Sequence, residues 1–363
     1  MADVGTLASR KMNNLNWLRL LFAFFVLVVH SYDLSGNTDN FLSRAGIPLS
    51  AIGVSGFFAI SGYLIYKSML RSKSVASYFK NRLLRLYPAL IVCLVLTVVV
   101  VWAVYQGSTR SYIDNLSVWS YVPRNLSLIF LQYNIAGVFE LNKYPGPING
   151  SLWTLIYEFM MYVGVGLLML LTHKKSYAKK IRRIILVSIS TFMCVSWLFF
   201  YSSSLPVITD FLITAKILEL GSTFLIGALV AEFSLEKYLL KAVTFITAIC
   251  LLIFSIRIGE YERYAPITMV VISLWVGLRT WQPLVSISER LGDISYGLYI
   301  YSFPVQQVLL YEFNLGPIKL LALSSIVTAL LAYLSWHIVE SKFLKLKDVS
   351  LIRLLKPLKH TFL

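Results

Sequence analysis

Ten apolar runs of near-membrane length recur along the 363 residues, at roughly 15–32, 48–70, 83–105, 149–172, 183–203, 212–232, 238–257, 264–281, 293–312 and 318–339. Inside hydrocarbon every backbone N–H and C=O must find a partner within the chain, which leaves helices or closed barrels. Runs of about 20 residues match the helix and exceed the shorter strands of a barrel. The predicted fold is therefore all-α: a polytopic membrane bundle of about ten transmembrane helices. Charged residues make up 14% of the chain, against about 25% in soluble domains, and the mean hydropathy is +0.72. The first run has no small-residue cleavage site after it, so it reads as a retained helix and not a signal peptide.

The net charge of +16 could suggest nucleic acid, but its placement argues against that partner. With the N-terminus inside, the cytoplasmic segments hold 24 of the 33 basic residues. "YKSMLRSKSVASYFKNRLLR" and "HKKSYAKKIRR" carry six basic residues each and no acid, and the tail after Glu340 carries six against Asp348. This alternation follows the positive-inside rule and requires an even number of crossings, so both termini are expected in the cytoplasm. Part of the charge serves topology and contact with anionic membrane lipid.

The chain reads as one integral-membrane domain over 1–363. It has a short cytoplasmic N-terminus (1–14), a long outer-side segment (106–148) and a basic cytoplasmic tail (340–363). The centre of the outer segment, "LSLIFLQYNIAG", is too short to cross and is expected to be an interfacial or re-entrant helix. Cys93, Cys194 and Cys250 lie far apart in apolar runs; they fit no disulfide frame or metal spacing and are expected to be buried core thiols.

Several polar residues sit where lipid or apolar side chains would otherwise be. Arg19 and His30 are eleven positions apart in the first span, which returns them to one helix face about 16 Å apart along the axis. Arg19, beside Trp17, could simply snorkel, and His30 could be a satisfied structural group; intramembrane ionisable residues otherwise mark function. Asp33, one turn on, could accept from the His30 ring. Glu158 is expected about two turns into the fourth span, at a depth similar to His30, either as a functional acid or as a structural hydrogen-bond partner. Glu219 has the same ambiguity, with Lys216 available to pair with it.

Arg82 and Arg85 in "KNRLLRLYP" share a face at the expected cytoplasmic start of the third span. They could grip phosphates or could serve topology alone. Pro88 would then fall in the first turns, where a missing N–H is tolerated. Gly53, Ser55, Gly56, Ser61 and Gly62 form a small-residue stripe that permits close approach of a second helix or a ligand. Tyr296, Tyr299, Ser302 and Gln306 recur at helical spacing in the ninth span, either as the wall of a polar acceptor path or as a structural ladder, with Pro304 expected to kink the helix.

The ordered set of Arg19-x10-His30, "GVSGFFAISGYLI", "NRLLRLYP", "SLWTLIYEF" and "ISYGLYIYSFPV" resembles the bacterial acyltransferase-3 family of integral-membrane O-acyltransferases. The likeness runs from about residue 13 to Glu340. It implies transfer of an acyl group, commonly acetyl from acetyl-CoA as co-substrate, to a carbohydrate hydroxyl of a surface polysaccharide or lipid-linked glycan in the bacterial inner membrane. By that resemblance Arg19, His30, Arg82 and Arg85 match positions regarded as essential, and Glu158 matches the acid after the Trp-Thr of the fourth span. Many members carry histidine where this chain has Ser302, so that position has no expected proton-transfer role. The basic tail in place of an esterase-like domain points to the stand-alone type.

The resulting expectation places the coenzyme phosphates on Arg82 and Arg85, Arg19 along the donor path, and His30 as general base oriented by Asp33 or Glu158. No cofactor is expected to be held tightly, and no metal. The competing class is a transporter or flippase of a lipid-linked sugar, against which stands the lack of a matched pair of interrupted helices. A membrane scaffold would leave Arg19, His30 and Glu158 without a purpose.

Overall fold

A computed structural model of the protein describes residues 13–172, 177–201, 207–209 and 212–348. The predicted N-terminal segment up to residue 12 and the basic tail from residue 349 lie outside the described residues. Among those described, twelve helices have ten or more residues. The first half contains α1 (Leu15–Leu34), α2 (Leu49–Arg71), α3 (Val75–Val101), α4 (Leu116–Leu126), α5 (Trp153–Thr172) and α6 (Ala178–Phe200). The second contains α7 (Thr214–Phe233), α8 (Ala242–Arg257), α9 (Tyr261–Gly277), α10 (Gln282–Leu291), α11 (Ser295–Phe313) and α12 (Pro317–Ser335). A two-stranded pairing of Val207–Thr209 with Leu212–Ile213 precedes α7, where the sequence predicts the start of a span.

Among the described residues, seven helices are long and apolar enough to cross a membrane, or eight if α9 and α10, bent by 90° at their junction, form one span. The ten predicted runs all reappear as helices, but three do not meet that standard alone: α9 does so only together with α10, and α8 and α11 do not. Helix α8 has only 16 residues. Helix α11 carries Ser302, Gln306 and Gln307, all 0% exposed. Its polarity is tolerated because α1, α3 and α12 pack around it and its amide N–H groups find partners inside the bundle. Gln306 Nε2 donates to the Leu27 carbonyl (3.0 Å) and the Ser31 hydroxyl (2.7 Å) of α1.

Two predicted boundaries move for local reasons. Helix α3 starts at Val75, eight residues earlier than expected, because the Ser74 hydroxyl caps it by accepting from the Ser77 N–H (3.1 Å). Arg82 and Arg85 therefore lie two to three turns inside the helix, and Pro88 lies in its interior, not in its first turns. In the 106–148 segment the longer helix is Leu116–Leu126, after a single turn at Thr109–Ile113, while most of "LSLIFLQYNIAG" is irregular. Polar side chains impose that path. Asn125 Nδ2 donates to the Gln132 carbonyl (2.9 Å), Asn125 Oδ1 accepts from the Gln132 N–H (3.0 Å), and Gln132 Nε2 donates to the Ser117 carbonyl (2.7 Å). Leu128 and Phe139, both fully buried, adopt φ of 58°, a conformation that a side-chain-bearing residue holds only when its surroundings fix it.

The small-residue stripe of α2 is explained by close helix approach. A Cβ on Gly62 would stand 1.9 Å from the Phe224 carbonyl oxygen of α7, and one on Gly227 would stand 2.6 Å from the Ala59 carbonyl oxygen of α2. Gly53 and Gly56 face α1 in the same way, against the Phe22 carbonyl and ring. One end of the α2–α7 pair is closed by ion pairs: Glu232 accepts from Tyr66, Arg182 and Arg183, and Glu236 from Tyr63 and Lys67. Lys216 pairs with Glu219 (2.6 Å). Of the three cysteines, only Cys93 is a core thiol; Cys194 is half-buried and Cys250 is exposed on an apolar outward face of α8. Period alone does not say which side of a short apolar helix meets its neighbours.

Replacing Gly62 by Ala is expected to destabilise the bundle by about 1–3 kcal/mol, since the obstacle is backbone and cannot swing away. Gly164→Ala, at a position with nothing within 4 Å of the added carbon, is expected to leave thermal unfolding in detergent unchanged. Equal melting temperatures for the two variants would contradict the close approach.

Candidate active site

Arg19 and His30 do lie on one face of α1, and that face looks onto α5 and α11. With α2 and the 127–149 segment, these three helices line two chambers, one above the other. The first, a narrow slot of about 40 Å³, is lined by Arg19 of α1, Phe57 and Ser61 of α2, Thr154 and Glu158 of α5, and Tyr296 and Tyr299 of α11. The second, about 330 Å³, is lined by His30 and Asp33 of α1, Trp153 of α5, Phe303 of α11, and Tyr133 and Tyr144 of the irregular 127–149 segment. Trp153 and Thr154 are consecutive yet face different chambers, and the Thr154 and Tyr299 hydroxyls bond to each other (2.8 Å). Eleven residues of helix place Arg19 and His30 about 16 Å apart.

Several expected groupings change. Glu158 stands with Arg19 and not with His30, because α5 enters the bundle at the level of the His30 chamber and five more residues carry Glu158 about 7 Å further along. Its carboxylate accepts from the Tyr162 hydroxyl (2.6 Å), one turn on. Asp33 shares the chamber with His30, but no hydrogen bond joins the two. The imidazole instead packs edge-on to Phe303, with ring centroids 5.1 Å apart, and its buried Nδ1 has no hydrogen-bond partner. Tyr296 and Tyr299 line the Arg19 slot. Ser302 lines neither chamber; its hydroxyl is spent on the Tyr299 carbonyl (3.1 Å). The stripe continues from Tyr299 by four residues to Phe303, not by three to Ser302.

The three arginines have different partners. Arg19 Nη1 (2.9 Å) and Arg85 Nη2 (2.7 Å) both donate to the same oxygen of Asp293, Oδ2, while Oδ1 accepts from the Ser295 hydroxyl (2.8 Å). Arg85 Nη1 also donates to Glu340 Oε2 (3.1 Å), and Glu340 Oε1 accepts from Ser335 (3.1 Å). Arg82 has no carboxylate at ion-pair distance among the described residues. It donates to the Ser68 hydroxyl (3.1 Å), lies about 6 Å from the rings of Tyr78 and Tyr162, and its Nε is buried without a partner.

Asp293 and Glu340 were not identified as site residues from sequence, and each is placed by an unusual piece of backbone. Gly292 adopts φ of 79° at the end of α10, and a Cβ there would stand 2.0 Å from the Trp336 Nε1, so only glycine turns the chain to present Asp293. Glu340 ends a π-helical turn, Trp336–Glu340, that continues α12 and buries the carboxylate to 1% exposure. The signal available in the sequence was electrostatic. Two arginines inside a membrane bundle need acids, and the Gly-Asp step before the ninth span supplies one.

The family described as an acyltransferase domain (acyltransferase-3) matches residues 12–337. An "O-acetyl transferase" of Shigella phage Sf6 is 32% identical over 341 residues, covering 92% of this chain and 96% of the relative. "Nodulation protein 10" of Rhizobium leguminosarum bv. viciae is 25% identical over 362 residues, covering 94% and 95%. No solved structure matches the chain. With the match running through both chambers, and with helices that make it a multi-pass membrane protein, this chain belongs to the acyltransferase-3 family and is an O-acyltransferase.

Proposed function

We propose that the protein takes an acetyl group from acetyl-CoA on the cytoplasmic side of a bacterial inner membrane and transfers it to a hydroxyl of a surface polysaccharide or lipid-linked saccharide. The observation that carries this reading is the stacking of an arginine slot and a histidine chamber on the same three helices. The phage relative's name supports acetyl as the group moved. In this reading both termini are cytoplasmic and the crossings number ten. The seven long apolar helices, the bent α9–α10 pair, the short α8 and the sheltered α11 supply them. The Arg19 end then faces the cytoplasm, consistent with the basic segments that flank it.

Arg82, with no acid beside it and an unpartnered Nε, is the cation best disposed to take a coenzyme phosphate. Arg85 and Arg19 are occupied by Asp293 and act by shaping the donor path, with Glu158 on its opposite wall. The slot is too narrow for a nucleotide, and the rise of about 16 Å from Arg19 to His30 along α1 is within the reach of an extended pantetheine arm, which would bring a thioester toward His30. His30 removes the proton from the acceptor hydroxyl, whose oxygen attacks the thioester carbon. The C–S bond breaks, and the coenzyme sulfur leaves as the thiol after taking the proton back from the imidazolium. Direct transfer needs no covalent acyl-enzyme.

His30→Ala is expected to lower transfer of label from radiolabelled acetyl-CoA to glycan by roughly 10²–10⁴-fold, with membrane expression unchanged. Wild-type rates in that variant would remove the base assignment, and label left only in the coenzyme with the wild-type protein would remove the activity itself. Arg82→Gln is expected to raise the KM for acetyl-CoA about tenfold, the loss of one charge-assisted contact. An unchanged donor KM would reduce Arg82 to a topology marker.

A further inference from the structure

The His30 chamber is built differently from the slot beneath it. Its 330 Å³ is at the small end of the range for ligand sites, about 300–1,000 Å³. Its wall is mainly aromatic. Trp153 is half-buried, Tyr144 is 45% exposed, and Phe303 is wedged between the His30 ring (5.1 Å) and Tyr144 (6.4 Å). The single carboxylate in the wall, that of Asp33, has no side-chain hydrogen bond or ion pair among the described residues. The buried His30 Nδ1 is likewise without a partner. Unpaired polar groups beside aromatic faces describe a site made for a ligand that has both apolar faces and hydroxyl edges.

Two of the aromatic rings do not come from helices. Tyr133 and Tyr144 belong to the irregular 127–149 segment, which is fastened to α11 by amide hydrogen bonds. Gln307 Nε2 donates to the Tyr144 carbonyl (3.1 Å) and the Pro147 carbonyl (2.7 Å). Asn142 Nδ2 donates to Gln307 Oε1 (2.8 Å), and Asn149 Nδ2 donates to the Ile300 carbonyl (2.8 Å). The segment is thus fixed as one wall of the chamber, opposite the helix that carries His30 and Asp33.

We propose that this chamber is a saccharide subsite in which Tyr144 and Trp153 stack on the C–H faces of a pyranose ring and Asp33 accepts from a hydroxyl beside the one presented to His30. A ring so held shows His30 one hydroxyl edge, so the 127–149 segment selects both the sugar and the position acylated. The inference rests on the acceptor being a carbohydrate, and it assigns that recognition to residues with no part in donor binding.

The test uses the full chain purified in detergent and tritiated methyl glycosides of glucose, galactose, rhamnose and N-acetylglucosamine. At least one glycoside is expected to bind saturably, with Tyr144→Ala and Trp153→Ala each weakening it tenfold or more. Tyr144→Phe, which keeps the ring, stays within about threefold of wild type, and acetyl-CoA affinity is unchanged throughout; this excludes simple misfolding. Asp33→Asn is expected to weaken binding and to alter the ranking of the four sugars. No glycoside binding by the wild type up to 50 mM, or equal binding by both alanine variants, overturns the subsite. Glycoside binding with the expected pattern but no transfer from acetyl-CoA supports the subsite while overturning the proposed donor chemistry.

Discussion

The arrangement around Asp293 determines what the rest of the bundle can do. Two guanidinium groups, on α1 and α3, converge on one carboxylate oxygen, and Glu340 takes the second hand of Arg85. Burying a cation in a membrane protein costs several kcal/mol unless an anion and further hydrogen bonds meet it. Here the anions come from the α10–α11 turn and from a π-helical turn after α12, so four distant parts of the chain must assemble before both arginines are satisfied. That coupling fixes α1, α3, α11 and α12 against one another. It also leaves Arg82 as the arginine of that group without an acid among the described residues.

A rigid frame of this kind is useful to a transferase with two substrates of unlike chemistry. The same three helices carry a tight slot at the level of the arginines and a wider aromatic chamber at the level of His30. Under the proposed acetyl-CoA reading, separation by about three helical turns would keep an anionic coenzyme head away from the acceptor while letting an extended arm reach it. The polar face of α11 makes this possible. Its tyrosines line the slot and its amides hold the 127–149 segment in place, at the cost of a helix too polar to stand in lipid alone.

Much of the bundle was legible in the sequence. Every predicted apolar run is a helix, and the 11-residue spacing of Arg19 and His30 put them on one face, because helix geometry is local and repeats. The small-residue stripe of α2 announced a close helix contact for the same reason. Features that depend on a partner were not legible. Asp33 or Glu158 was expected to orient His30, with Glu158 at a similar depth. The ring instead leans on Phe303, and Glu158 falls one chamber lower. Neither outcome can be derived without knowing where α11 stands and at what level α5 enters.

The pattern of hydropathy and basic residues by itself determined a multi-pass helical membrane protein, and the ordered motifs determined its family. Both are written in short-range periodicity, which neighbouring elements do not alter. Only the tertiary structure decided which acids neutralise which arginines, and it folded "LSLIFLQYNIAG" into a chamber wall in place of a helix. It also placed Tyr296 and Tyr299 in the Arg19 slot and not in the His30 chamber. Those outcomes rest on contacts between residues up to 274 positions apart. Such contacts are set by packing and by the need to pair every buried charge, and no local rule encodes them.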